Sequence, residues 1–297
     1  MTNTLIADSG SSKTDWRLIL SDGSIQQART VGLNPFYQNQ NSIETELRAG
    51  LLPNISTVDI TEIYFYGTGC AGQESCDIVR FALQSVFSKA IVEVESDMLG
   101  AARGLCGHEV GIACILGTGA NNCLYDGQNI TAQVPSLGFW LGDEGSGAYL
   151  GKILVTKFLH KELPQDLEEK FAKRYTITRL DVLENAYKQP FPNRYFAGFS
   201  KFLFDNRHHP AAYQIIYEAF GIFFDKYICR HVNFENYKVH FTGSIAFYYN
   251  DILRRVASQK GVTLRNILET PIAGLTLYHQ QKNNPTNFDQ SVGNFQG

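Results

Sequence analysis

Two aspartates stand where a carboxylate can be put to chemical use. Asp97 follows the alternating run Ala90-Ile-Val-Glu-Val-Glu95 and Ser96, so the pattern predicts a strand ending at the acid and a short helix, Met98 to Leu105, beyond it. Aspartate is also a favoured helix N-cap, and that duty alone would explain it. The carboxyl end of a strand in an open α/β sheet, however, is where such sheets place their ligand crevice. A carboxylate there can take the proton of a hydroxyl as it attacks a phosphoryl group. Asp8, at the end of the strand Leu5-Ile-Ala-Asp, suits a different task, holding a hydrated Mg²⁺ near phosphates through water.

Phosphates are what the neighbouring loops suit. Asp8-Ser9-Gly10-Ser11-Ser12-Lys13-Thr14 and Leu116-Gly117-Thr118-Gly119-Ala120-Asn121 each follow an apolar strand and precede a returning one. Glycines flanking a hydroxyl residue let the backbone approach a ligand and turn several N–H groups into one concavity. Each copy then runs on into an Asp-Gly turn, Asp22-Gly23 or Asp126-Gly127, and a third strand. Repetition of a whole supersecondary unit is far rarer by chance than either loop alone. Two related halves, each with a phosphate loop, predict a nucleotide clamped between two lobes.

A third stretch, Ser136-Leu-Gly138-Phe-Trp140-Leu-Gly142-Asp143-Glu144-Gly145-Ser146-Gly147, crowds glycines around an acid pair beside a Trp. A solvated turn with a capping acid accounts for any one of these residues. A sugar pocket accounts for the set, since small residues admit the ring and carboxylates accept from hydroxyls. Gly243, in Thr242-Gly243-Ser244 after the strand Tyr237 to Phe241, fits close approach of an adenosine or phosphate at a strand-to-helix turn.

The elements that must position these residues alternate. Strand, strand, strand (Ser24 to Val31), helix (Ser42 to Leu52, N-cap Ser42), strand (Glu62 to Tyr66), helix (about Glu74 to Lys89), strand and helix account for residues 1–108. The second half repeats the three strands and carries a helix from about Ala148 to His160. A mainly helical stretch over 163–230 follows, with segments at 165–174, 178–188, 192–205 and 210–230. Its Tyr and Phe residues recur at helical spacing and read as core. Gly261 to Leu268 reads as the last strand and 272–281 as a closing helix that completes the first lobe. The expected division is 1–108, 109–271 and a polar tail over 283–297.

With 297 residues, 44% hydrophobic and 19% charged, the chain can bury substantial cores, and a net charge of −3 gives no reason to expect nucleic acid. No run reaches the roughly 20 apolar residues of a membrane helix, so a soluble cytoplasmic protein is expected. The cysteines, at 70, 76, 106, 114, 123 and 229, form no Cys-x-x-Cys pair and read as reduced, buried thiols. A C2 homodimer is the base-rate expectation for assembly.

Taken together, these motifs resemble the actin/hexokinase/Hsp70 ATPase superfamily, and within it the BadF/BcrA-type ATPases and N-acetylglucosamine kinases. The likeness runs to about residue 281. It rests on Asp8 to Thr14 and Gly117 to Asn121 as phosphate motifs, Thr242-Gly243-Ser244 as adenosine motif, Glu95-Ser96-Asp97 and Gly138 to Ser146. The first loop departs from the family's usual Asp-Gly-Gly-Gly-Thr, and no equivalent of the cluster-binding cysteines of the dehydratase activators is found. The resemblance implies a duplicated, two-lobed actin-like (ribonuclease H-like) α/β fold, βββαβαβα in each half, with an interlobe cleft. It implies ATP and Mg²⁺ as cofactors and phosphorylation of an amino sugar, N-acetylglucosamine first. Asp97 would be the base and Asn34, Asn121 and Asp143 the sugar contacts. An ATP-hydrolysing switch acting on a protein partner is the alternative, and a non-catalytic sugar sensor fits less well.

Overall fold

A computed structural model describes residues 2–56 and 58–283, so the expected tail lies outside them from residue 284 onward. The described residues divide into two compact units: those through His108 together with those from Pro271, and Glu109–Thr270.

In the first unit, Thr4–Ser9 (β1), Lys13–Ile19 (β2) and Ile25–Val31 (β3) form an antiparallel meander. Gln40–Glu46 (α1), Glu62–Gly67 (β4), Gln73–Val86 (α2), Ile91–Ser96 (β5) and Asp97–Cys106 (α3) follow. The sheet runs β3-β2-β1-β4-β5, with β4 parallel to both β1 and β5. β1 is buried on both faces, which is why Leu5-Ile6-Ala7 is continuously apolar rather than alternating. One face, with Leu5, Ala7, Trp16 and Phe65, packs against Ile43, Leu47, Val79 and Leu83. The other presents Ile6, Ile19, Tyr64 and Tyr66 to Ile272 and Leu275 of the closing helix. α1 starts earlier than the Ser42 cap predicts. Asn39 is the N-cap, its side chain accepting the Ser42 N–H at 2.9 Å, and the helix passes into a π-turn over Leu47–Leu51.

The second unit repeats the pattern. Gly111–Leu116 (β6), Ala120–Tyr125 (β7) and Ile130–Ala132 (β8) again form a meander, and Gly138–Leu141 (α4) and Gly147–Leu159 (α5) come next. Helices Gln165–Arg174 (α6), Arg179–Tyr187 (α7), Pro192–Gly198 (α8), Ser200–Asp205 (α9) and Pro210–Lys226 (α10) then lead to Val239–Thr242 (β9). Ser244–Tyr248 (α11), Asn250–Gln259 (α12) and Leu264–Leu268 (β10) complete the unit. Its sheet order, β10-β9-β6-β7-β8, is that of the first sheet read from the other edge, with β9 parallel to β6 and β10 parallel to β9. Most of the aromatic stripe is core, with Phe171, Phe199, Phe202, Phe220, Phe223 and Phe224 packed with Cys114, Leu116 and Phe241, whereas Tyr187 is exposed. The helix expected over 192–205 is two, broken at Phe199, and the glycine-rich signature contains a helical turn, α4, where the sequence suggests loop. The last helix, Ile272–Asn283 (α13), belongs to the first unit.

Candidate active site

In the first unit three parallel strands end in line. Ser9 pairs with Gly67 and Gly67 with Ser96, so the residues that follow, Thr68 and Asp97 among them, stand side by side at the carboxyl edge of the sheet. Ser96, rather than Asp97, caps α3, its Oγ accepting the Leu99 N–H at 3.2 Å. Asp97 is therefore free of the cap bond, and its Oδ2 accepts the Thr68 hydroxyl at 2.6 Å. Burial raises the Asp97 pKa, opposed by hydrogen bonds from Thr68 and from the backbone of Met98. Thr68 is itself pinned, since its backbone N–H donates to the Ser9 carbonyl at 2.9 Å. Asn34 joins this corner. It is 5% exposed, its Oδ1 accepts the Phe36 N–H at 3.0 Å, and a Cβ on Gly69 (φ +88°) would come within 2.4 Å of that oxygen. Only glycine lets the turn after Thr68 lie so close to the amide.

The first loop is partly committed to its own hairpin. The Gly10 N–H donates to the Lys13 carbonyl at 3.0 Å. Thr14, expected at a phosphate, is turned inward and wholly buried, its hydroxyl 3.0 Å from the Val31 carbonyl and 2.7 Å from Ser9 Oγ. The Lys13 ammonium lies 3.3 Å from Asp15, which also accepts Arg29 Nε at 2.7 Å. Ser11 and Ser12 form the tip, and Asp8 is half-buried on β1 opposite Tyr66.

In the second unit three separated stretches meet. The Gly147 and Ala148 N–H groups donate to the Gly117 and Thr118 carbonyls at 2.8 and 3.1 Å, so the loop between β6 and β7 rests on the start of α5. Gly117 closes the loop on Gly119 with a 3.0 Å bond. Gly243, at φ +112°, lies against the same loop: a Cβ there would stand 2.3 Å from the Leu116 carbonyl oxygen. Ser244 opens α11 just beyond it.

Asp143 adopts the left-handed region (φ +58°), and its Oδ1 accepts the Ala120 N–H at 3.1 Å. Burial raises its pKa, and the Ala120 bond counters part of the rise. Asn121 lies on the returning strand, with Oδ1 accepting Gln133 Nε2 at 2.8 Å. Gly138 (φ +70°) begins α4, whose Trp140 stacks on Tyr187 at 5.6 Å and 9°. Two residues of the signature point elsewhere. Glu144 is buried and engages Lys226 and the Tyr227 hydroxyl, the latter at 2.6 Å; Gly145 packs on Phe223 and Leu116. Both meet the helical core, where the sequence leads one to expect a sugar contact. Burial alone would raise the Glu144 pKa, but its hydrogen bonds outweigh that and hold it low.

Three residues in these contacts were not picked out by sequence. Thr68 had a signal, the Gly-Thr-Gly at the end of β4. The Glu144 partners Lys226 and Tyr227 had none, being remote in the chain. Among the described residues, no group of three or more His, Cys, Asp or Glu is gathered as a metal site, and no helix is long and apolar enough to cross a membrane.

No protein-family model matches the chain, and no curated protein matches it. Solved structures do. A Porphyromonas gingivalis protein, named a candidate N-acetylglucosamine kinase, is 43% identical over 95% of this chain and all of its own, with a TM-score of 0.89. The chain belongs to the BadF/BcrA-type ATPase and N-acetylglucosamine kinase family. A Chromobacterium violaceum protein with the same kind of name is 18% identical over 94% of this chain and 99% of its own (TM-score 0.74). The ROK hexokinase of Thermus thermophilus is 12% identical over 93% and 98% (TM-score 0.51). At those identities the likeness is one of fold, and the fold of this family member is the actin-like ATPase fold.

Proposed function

We propose that the chain is a kinase that transfers the γ-phosphoryl group of ATP to a hydroxyl of an amino sugar, N-acetylglucosamine first among the candidates, with Asp97 as general base. The observation that carries this reading is the Asp97 carboxylate: released from capping by Ser96, held by Thr68 and standing beyond a parallel strand end, in a chain 43% identical to a candidate N-acetylglucosamine kinase. The carboxylate accepts the proton of the attacking hydroxyl, probed most simply at O6.

The phosphates are assigned to the backbone of Gly10 to Lys13 and of Gly117 to Gly119, and the adenosine to Gly243 and Ser244. Asn34, Asn121, Asp143 and Gly138 remain the sugar candidates; the Asn34 Oδ1 serves its own turn, which leaves its amide N–H₂ as the group to meet a hydroxyl or acetyl oxygen. One carboxylate, Asp8, at the end of β1 suits Mg²⁺, an ion that keeps most of its waters and takes other oxygens from the nucleotide. Bound there it would neutralise phosphate charge. Alignment and electrostatics, rather than covalent chemistry, supply the acceleration.

The test is ADP release from Mg·ATP with a panel of amino and neutral hexoses and a no-sugar control. One sugar should raise turnover well above the control, and Asp97→Asn should lower it about 10²-fold or more while ATP still binds. Equal hydrolysis with every sugar and with none would sink the kinase reading in favour of a nucleotide switch.

A further inference from the structure

We propose that Thr68 is the positioning residue of the candidate base: its hydroxyl, mounted on a backbone pinned to β1, fixes the orientation of the Asp97 carboxylate toward the substrate hydroxyl. The inference rests on the reading of Asp97 as base.

Three features make the contact more than an incidental hydrogen bond. The first is register. β4 and β5 run parallel with Gly67 opposite Ser96, so the residues just beyond the two strand ends are neighbours by construction. The second is support. A surface threonine would sample several rotamers, but the Thr68 N–H donates to Ser9 at the root of the first loop, and Gly69 behind it lies against Asn34. The hydroxyl is thus carried by a short turn held on both sides, and a reacting group must be kept within a few tenths of an ångström for near-attack geometry. The third is division of labour at the start of α3. Ser96 supplies the cap to Leu99, so the Asp97 oxygens, which also meet the Met98 backbone, keep acceptor capacity for Thr68 and a substrate together. An ionised carboxylate offers about four acceptor sites, enough for both.

The hydroxyl also acts on the charge. It donates to the ionised form and opposes the burial that raises the Asp97 pKa. The Cys70 thiol, which burial keeps neutral, interacts with Asp97, and the Cys76 thiol of α2 and Glu95 of β5 act in turn on Cys70. None is a cation that could replace the threonine. Without the hydroxyl the base would hold its proton to higher pH.

The experiment compares wild type, Thr68→Val, Thr68→Ser and the Thr68→Val/Asp97→Asn pair for kcat against pH with the active sugar, and follows Asp97 by NMR titration. Thr68→Val should lower kcat about 10- to 100-fold, the range for a hydrogen bond to a charged group. It should move the acid limb of the profile up by about one pH unit and leave the KM for ATP unchanged. Thr68→Ser should recover most of the rate, and in the Asp97→Asn background the Val change should cost nothing further. An unchanged acid limb, or equal losses with and without the Asp97 carboxylate, would overturn the role. If wild type shows no sugar-stimulated turnover, the kinase reading fails. The NMR midpoint then decides the Thr68 contact by itself: a rise in Thr68→Val supports it and an unmoved midpoint overturns it.

Discussion

Tyr227 donates its hydroxyl to Glu144 at 2.6 Å while Lys226, the preceding residue of the same segment, pairs with the other oxygen of that carboxylate. The glycine-rich signature is therefore latched to the end of α10 by one buried acid. Lys226 is more than half exposed, so its share is small, and the Tyr227 bond carries the latch. Glu144→Gln should destabilise the protein by about 1–3 kcal/mol and Tyr227→Phe by about 1 kcal/mol, read as urea midpoints at pH 7. The Glu144 pKa is lowered on folding, so its contribution is present above its ordinary value of 4.5 and is lost as pH falls through the lower folded value. The gap between wild type and Glu144→Gln should narrow in that range.

Two glycines of the proposed nucleotide loops should behave in opposite ways. Gly243 has a positive φ and no room for a Cβ beside the Leu116 carbonyl, whereas a Cβ on Gly117 meets nothing within 4 Å. Gly243→Ala should destabilise by about 2 kcal/mol or more through strain and displacement of the loop. Gly117→Ala should leave the melting temperature nearly unchanged and, on the proposed assignment of this loop to phosphate, raise the KM for ATP. A large fall in Tm for Gly117→Ala would exclude that loop geometry.

His240 predicts an acid-labile second unit. It is 6% exposed with no hydrogen-bond partner for Nδ1, and burial, with Lys238 nearby, pushes its pKa from 6.5 down to about 4. The folded state holds it neutral while the unfolded chain takes up a proton, so stability is lost as pH falls from 6.5 to 4. The full window is worth about 3 kcal/mol. His240→Gln should flatten the decline of the urea midpoint between pH 7 and pH 4.5; an unchanged slope would assign the acid sensitivity elsewhere.

The two tryptophans, Trp16 at 0% and Trp140 at 52% exposure, should separate cleanly in fluorescence. Acrylamide should quench one of two emitting populations, and Trp140→Phe should remove that one. Sugar binding that leans on the Gly138–Gly142 turn should shift the same population, and a response that survives Trp140→Phe would place the sugar's effect elsewhere.

Much of the fold was legible because its signals were local. The continuous apolar run of β1, the alternation before Asp97 and the small-residue loops after β1 and β6 depend on nearest neighbours, and the repeated meander exposed the duplication. What was not legible depends on which way a side chain turns. Thr14 carries the residue type of a phosphate ligand, yet it falls on the inward phase of β2, where its hydroxyl meets Val31. Glu144 reads as a sugar-pocket carboxylate, and only the fold brings Tyr227 to it. Asn39 outcompeted Ser42 as a cap because either residue type serves and the earlier one starts the helix. Thr68 was overlooked because its value lies in the register between two strands, which no single segment encodes.

The closing helix α13 has a consequence for how the protein comes into being. Ile272 and Leu275 cover one face of the first sheet, yet the ribosome delivers them only after the whole of Glu109–Thr270. During translation, Ile6, Tyr64 and Tyr66 wait without that cover while the second unit emerges and folds, and a nascent chain stalled before Pro271 leaves an apolar sheet face open to chaperones or to other chains. The first unit to be made is the last to be finished.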